Sequence, residues 1–130
     1  MDKNIVRLIR LVVTRIPLSS GQIALFKALN EIGDHWISKS ELAHRMQVND
    51  ESSVTGILGA LGNRINQTEG VVPPLDGIGL LMTWETFHDE WHYRMLPELR
   101  SVIDGFPVLQ NALNLSVDEI YQLYGDGLVI

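Results

Sequence analysis

The stretch Gly56-Ile57-Leu58-Gly59-Ala60-Leu61-Gly62-Asn63-Arg64-Ile65-Asn66 keeps helical periodicity through three glycines. Each glycine in a helix interior costs about 1 kcal/mol relative to alanine, so the three together forgo roughly 3 kcal/mol, a sizeable part of a small domain's margin. Close approach by another surface is the compensation to look for. At 100° per residue, Val54, Ile57, Leu58, Leu61 and Ile65 form one apolar stripe. Ser52, Thr55, Gly56, Gly59, Asn63, Asn66 and Gln67 gather opposite it. The segment therefore predicts a helix with one side in the core and the other a flat polar reading face.

The residues before this helix predict short helical elements joined tightly. Gln47-Val48-Asn49-Asp50 offers one apolar residue to bury and an Asn or Asp to cap the glycine-bearing helix. Ser38-Lys39-Ser40-Glu41 has the capping-box pattern ahead of Leu42, Ala43 and Met46, which predicts a second short helix. Two helices joined by so short a turn make a helix-turn-helix. Upstream, His35-Trp36-Ile37 reads as a short extended piece. Before it, Ser19 or Ser20 caps a helix with Leu25, Phe26, Ala28, Leu29 and Ile32 on one side, ended by Gly33. The dense apolar run from Ile5 to Ile16 fits a buried helix or a strand, and helix is the reading adopted.

Beyond Gln67 the chain changes character, with Gly70, Pro73, Pro74, Gly77 and Gly79 marking a loop. Ile78, Leu80, Met82 and Trp84 then alternate with other residues, as do Trp91, Tyr93 and Met95, which predicts a β-hairpin connected near residues 87–90. A rival reading places Trp84, Phe87, Trp91 and Met95 on one helix stripe, because the connection lacks Gly or Asn. Pro97 suits the first position of a helix closed by Gly105. Ser116 opens a last helix with Asp118 and Glu119 in its first turn.

In order, helix, short strand, helix, tight turn, helix and hairpin resemble the winged helix-turn-helix fold, in which the hairpin is the wing. The resemblance covers roughly residues 20 to 104. It rests on Ser38-Lys39-Ser40-Glu41-Leu42-Ala43, on Gly56 through Ile65, and on Trp91-His92-Tyr93-Arg94-Met95-Leu96-Pro97-Glu98-Leu99. The fold class read here is mainly α with a small β-hairpin, α+β. Residues 1–18 form an N-terminal apolar and basic segment suited to a dimerisation helix, 19–104 the winged-helix domain, and 105–130 a C-terminal helical extension.

The resemblance implies one of two functions. In a DNA-binding transcription regulator, the helix at residues 51–67 enters the major groove. Ser52, Ser53, Thr55, Asn63, Asn66 and Gln67 would then meet base edges or phosphates. Gly56 and Gly59 would let the backbone lie close, and Lys39, Arg45 and Arg64 would contact phosphates. The alternative is a protein-interaction module without DNA binding, its acidic surface mimicking DNA or occupying a basic partner. Asp50 and Glu51 at the start of the reading helix, and Asp89 and Glu90 at the wing tip, would repel phosphate. A third reading of the glycines is helix packing against the N-terminal segment, the C-terminal helix or a second subunit. Apolar terminal segments fit a homodimer.

Composition bears on these classes. The formal charge of −6 is uneven: residues 1–20 carry +3, residues 21–104 carry −6 and residues 105–130 carry −3. An acidic central domain argues against generic nucleic-acid binding, which depends on Lys and Arg neutralising phosphate. The chain has no cysteine, so disulfides and thiolate metal sites are excluded and a cytoplasmic location is expected. The N-terminal stretch matches neither a signal peptide nor a membrane span. His88 and His92 would share a metal on a helix, but on a strand residues four apart lie about 13 Å from each other. No metal, cofactor or catalytic residue is assigned, and the chain is not read as an enzyme. Trp36, Trp84 and Trp91 are expected to be packing residues that anchor the sheet.

Overall fold

The computed structural model describes residues 1–130. Helix α1 (Lys3–Arg15) takes the helical alternative at the N-terminus, capped by the Asp2 carboxylate, which accepts from the Asn4 and Ile5 amides at 2.9 and 3.2 Å. Helix α2 (Ser20–Ile32) starts from a full capping box. The Ser19 hydroxyl accepts from the Gln22 amide and the Gln22 side-chain oxygen accepts from the Ser19 amide, both at 3.1 Å. Gly33 ends this helix with φ of 71°, a conformation that suits glycine.

Strand β1 is only Ile37–Ser38, and α3 (Lys39–Arg45) follows it directly. Ser38 caps α3 by accepting from the Glu41 amide at 3.1 Å. The Glu41 carboxylate turns away to accept from Arg45 Nε at 3.0 Å, so half of the expected capping box forms. Asp50 caps α4 (Glu51–Asn66), the glycine-bearing helix.

Strands β2 (Met82–Phe87) and β3 (Glu90–Met95) form the expected hairpin, and the rival helix does not occur. His88 and Asp89 make the turn with φ of 52° and 60°. Two consecutive positive φ values match the twist of a tight hairpin, and His and Asp tolerate that region better than most residues. This is why the turn lacks the usual Gly or Asn. The sheet is antiparallel in the order β1-β3-β2, with Ile37 opposite Tyr93, and Met82 opposite Met95 through to Phe87 opposite Glu90.

The C-terminal part holds α5 (Pro97–Gly105), α6 (Pro107–Leu113) and α7 (Val117–Leu123). Pro97 occupies the first turn as expected, and Ser116 with Glu119 forms a capping box for α7. Helix α6 is an element that periodicity does not predict; it opens on Pro107, which has the same role as Pro97. The architecture is thus mainly helical with one small antiparallel sheet, α+β. No helix is long and apolar enough to cross a membrane.

The terminal segments are part of one core. Leu8, Ile9, Val12 and Val13 of α1 belong to the same buried cluster as Phe26, Leu61, Leu99, Leu109 and Ile120. The apolar stripe expected to serve dimerisation is therefore engaged within the chain, and α1 packs mainly on α5. Backbone bonds of 2.9 and 2.8 Å join Leu18 to Leu128, tying the end of the chain to the turn between α1 and α2.

Candidate interaction surface

Helix α4 buries Val54, Leu58, Leu61 and Ile65 and half-buries Ile57, the stripe that its periodicity predicts. Ser52, Thr55, Gly56, Gly59, Asn63, Asn66 and Gln67 are exposed on the other side. A Cβ built on Gly56 or on Gly59 would meet nothing within 4 Å, so no element of this chain approaches them. Intramolecular packing on these two glycines, by α1 or by α7, is ruled out. Gly62 differs, because its Cβ would lie 3.7 Å from Ile78 Cγ2.

The polar residues of this helix divide by what they already hold. The Asp50 carboxylate accepts from the Ser52 hydroxyl at 2.6 Å, and from the Ser53 amide and hydroxyl at 3.1 and 3.2 Å. The Ser52 hydroxyl first, then the Ser53 amide, holds Asp50 below its ordinary pKa. Thr55 donates to the Glu51 carbonyl at 3.2 Å, and the Asn66 side-chain oxygen accepts from the Gly77 amide at 2.7 Å. Ser52, Ser53, Thr55 and Asn66 thus have structural partners. Asn63 and Gln67 have none within the chain.

The expected cations do not converge on this helix. Arg64 is 4% exposed. Its guanidinium donates to the Val12 and Ile16 carbonyls at 2.8 and 2.9 Å and also to the Pro17 carbonyl. Arg64 is therefore not a phosphate contact; it closes the C-terminal end of α1, where unpaired carbonyls favour a cation. Its position on the helical wheel, beside Ile57 and Leu61, is the signal that it lies at the edge of the buried stripe. Arg45 is committed to Glu41 at 3.0 Å and approaches Glu31 at 3.7 Å. Lys3, Arg7 and Arg10 line a separate groove of about 760 Å³ with Val6, Leu11 and Ser101. Lys39, at the start of α3, has no carboxylate partner.

A 3-10 turn, Ile78–Leu80, lies between the glycine-bearing helix and the hairpin and touches both. A Cβ on Gly79 would lie 3.7 Å from Trp84 Cη2, so the Trp84 ring covers that glycine. Strand register puts Trp84 opposite Tyr93 and Trp91 opposite Thr86, on the side of the sheet that carries buried Met82 and Met95. The hairpin outruns the core, and Trp84 and Trp91 remain 43% and 47% exposed. These two are not the packing anchors that alternation suggested. The other side of the hairpin carries an aromatic cluster, with Phe87 edge-on to Trp36 at 5.4 Å and to His92 at 5.0 Å, and Arg94 4.4 Å above Trp36. Glu90 accepts from the Ser40 hydroxyl and from its amide at 3.2 Å, and these bonds, the hydroxyl's first, hold its pKa low.

No protein-family model matches the chain, and no curated protein and no solved structure matches it. The functional reading rests on the residues themselves.

Proposed function

We propose that the chain is a winged-helix module that binds a protein partner through the exposed side of α4 and the adjoining tryptophans of the hairpin. The observation that carries this reading is that the exposed side of α4 has no cation, because its one basic residue, Arg64, is buried against the end of α1. DNA affinity comes mostly from phosphate neutralisation, and a reading helix with Asp50 and Glu51 at its N-terminus supplies the opposite charge. A protein partner needs no such cations. Half-exposed tryptophans are the residue type that most often dominates protein interfaces, and open glycines let a partner come close to the helix backbone.

Duplex DNA is the second reading, favoured by the unpartnered Asn63 and Gln67 amides, which suit adenine edges. Fluorescence anisotropy with random and genomic duplexes at about 50 and 200 mM salt separates the two. The expected result is no binding by micromolar protein at the lower salt. Salt-sensitive micromolar binding would overturn the protein reading and require an operator search. A second copy of the chain is the first partner to test. Sedimentation velocity over a range of concentrations, on the native chain and on a Trp84→Ala, Trp91→Ala double variant, reports whether these rings hold a homodimer together.

A further inference from the structure

A groove of about 350 Å³ lies where the turn between α1 and α2 meets the last turns of α4. Its walls include Ser19 and Gln22 from the start of α2, Asn63, Arg64 and Gln67 from α4, and Ile16 and Pro17 from the turn. No carboxylate lines it.

The unpaired groups of this groove are donors. The carbonyls of Ile16 and Pro17 already accept from Arg64. The Ser19 oxygen accepts from the Gln22 amide, which leaves its hydroxyl hydrogen free to turn outward. Gln22 is the telling residue. The residue is 6% exposed, and its side-chain oxygen is committed to the Ser19 amide. Its amide nitrogen makes no hydrogen bond within the chain, and the residue forms part of the groove wall. Arg64 forms part of the same wall, and its Nε–H is fully buried and without a partner. The Gln22 amide nitrogen keeps access to the groove, whereas the buried Arg64 Nε–H incurs a desolvation cost that a nearby anion would offset. Asn63 and Gln67 can turn their amide nitrogens toward the same space.

The electrostatics agree with the donor geometry. Burial first, and then the nearby Arg15 charge, holds the Arg64 guanidinium below its ordinary basicity. An anion at this place would offset both effects, since its charge compensates two neighbouring arginines.

We propose that this groove is a binding site for a small oxyanion, a carboxylate or a phosphate, held by Gln22, Ser19 and the Asn63 and Gln67 amides under the field of Arg64 and Arg15. The groove shares Asn63 and Gln67 with the exposed side of α4, and a free anion as probe tests it apart from the macromolecular partner.

The test is a titration of the ¹⁵N-labelled chain with sodium acetate and, separately, with inorganic phosphate in low-chloride buffer. Side-chain amide signals of Gln22, Asn63 and Gln67 are followed. Saturable shifts of the Gln22 side-chain amide are expected with at least one anion. Tighter binding of phosphate identifies a phosphoryl ligand, and tighter binding of acetate identifies a carboxylate. The Gln22→Glu variant keeps the capping box, since Glu serves at that position, and replaces the free donor with an acceptor. Its binding should weaken at least tenfold while its melting curve remains cooperative. The exposed Arg15→Gln variant should weaken binding by a smaller factor without touching the fold. Absence of a saturable shift with both anions would overturn the proposal, and so would equal affinity in Gln22→Glu.

Discussion

Replacing Arg64 with Met should destabilise the chain by about 3 kcal/mol, although the residue lies on the helix that periodicity marks as a reading surface. The Arg64 guanidinium holds three carbonyls in the last turn of α1 and just beyond it. Val12 is fully buried, so its carbonyl loses a charged donor in a site remote from water, worth about 1.5–3 kcal/mol. Ile16 and Pro17 are exposed residues, so their carbonyls regain water and lose less. Loss of a cation at the C-terminal end of a helix adds about 0.5–1 kcal/mol. Met fills most of the volume, which keeps a cavity term small. A difference of about 3 kcal/mol moves the melting temperature of a domain of this size by about 10 °C. Urea unfolding followed by tryptophan fluorescence measures it, and hydrogen exchange should show amides at the end of α1 losing protection first. Arg64→Lys should recover part of the loss, because one ammonium replaces a planar fork. A loss below about 1 kcal/mol for Arg64→Met, with α1 protection unchanged, would refute the assignment of this arginine as a structural closure.

The glycines predict opposite signs at two places. Gly59→Ala meets open space on a helix and should stabilise by about 0.5–1 kcal/mol, whereas Gly127→Ala should destabilise. Its φ is 93°, and its Cβ would lie 2.8 Å from Pro17 Cβ beside the Leu18–Leu128 pairing. Thermal melts of the two variants decide this, and a Gly59→Ala melt below the native one would sink the open-face description. Acid should also weaken the fold in a defined window. Asp50, Glu90 and Glu119 are all held below their ordinary pKa values, mainly by the Ser52 hydroxyl, the Ser40 hydroxyl and the Ser116 amide respectively. The charged form is favoured in the fold, so the contribution is complete above the unfolded values and is lost as pH falls below about 4.5 through the depressed ones. Melting temperatures from about pH 7 to about pH 3 should drop in that range, and the drop should be smaller in Glu119→Gln. An unchanged profile in that variant would count against the capping box as one source.

Local signals in the sequence determined most of the elements. Ser19, Ser38, Asp50 and Ser116 each cap the helix predicted after them, and Gly33 ends the one before it. Capping and periodicity depend on residues within about four positions, so one sequence suffices to read them. The hairpin was legible from alternation, and its turn was ambiguous because His88 and Asp89 adopt positive φ without glycine. Helix α6 escaped because Phe106 at its start offers no capping side chain, whereas α3 and α7, equally short, are announced by Ser38 and Ser116.

The roles of the side chains around α4 were settled only by tertiary structure. Arg64 looks like a cation for solvent or phosphate until α1 places three carbonyls against it. Trp84 and Trp91 look like core residues until the register shows the hairpin extending past the helices. Gly56 and Gly59 look like a helix-packing seam until nothing in the chain is found within 4 Å of their Cβ positions. The sequence by itself determined where helices and strands begin and which stripe of α4 is apolar, because those properties depend on neighbours along the chain. Which polar groups remain unpaired was decided by contacts between residues some fifty positions apart, as between Arg64 and Val12, and no local pattern encodes such distances.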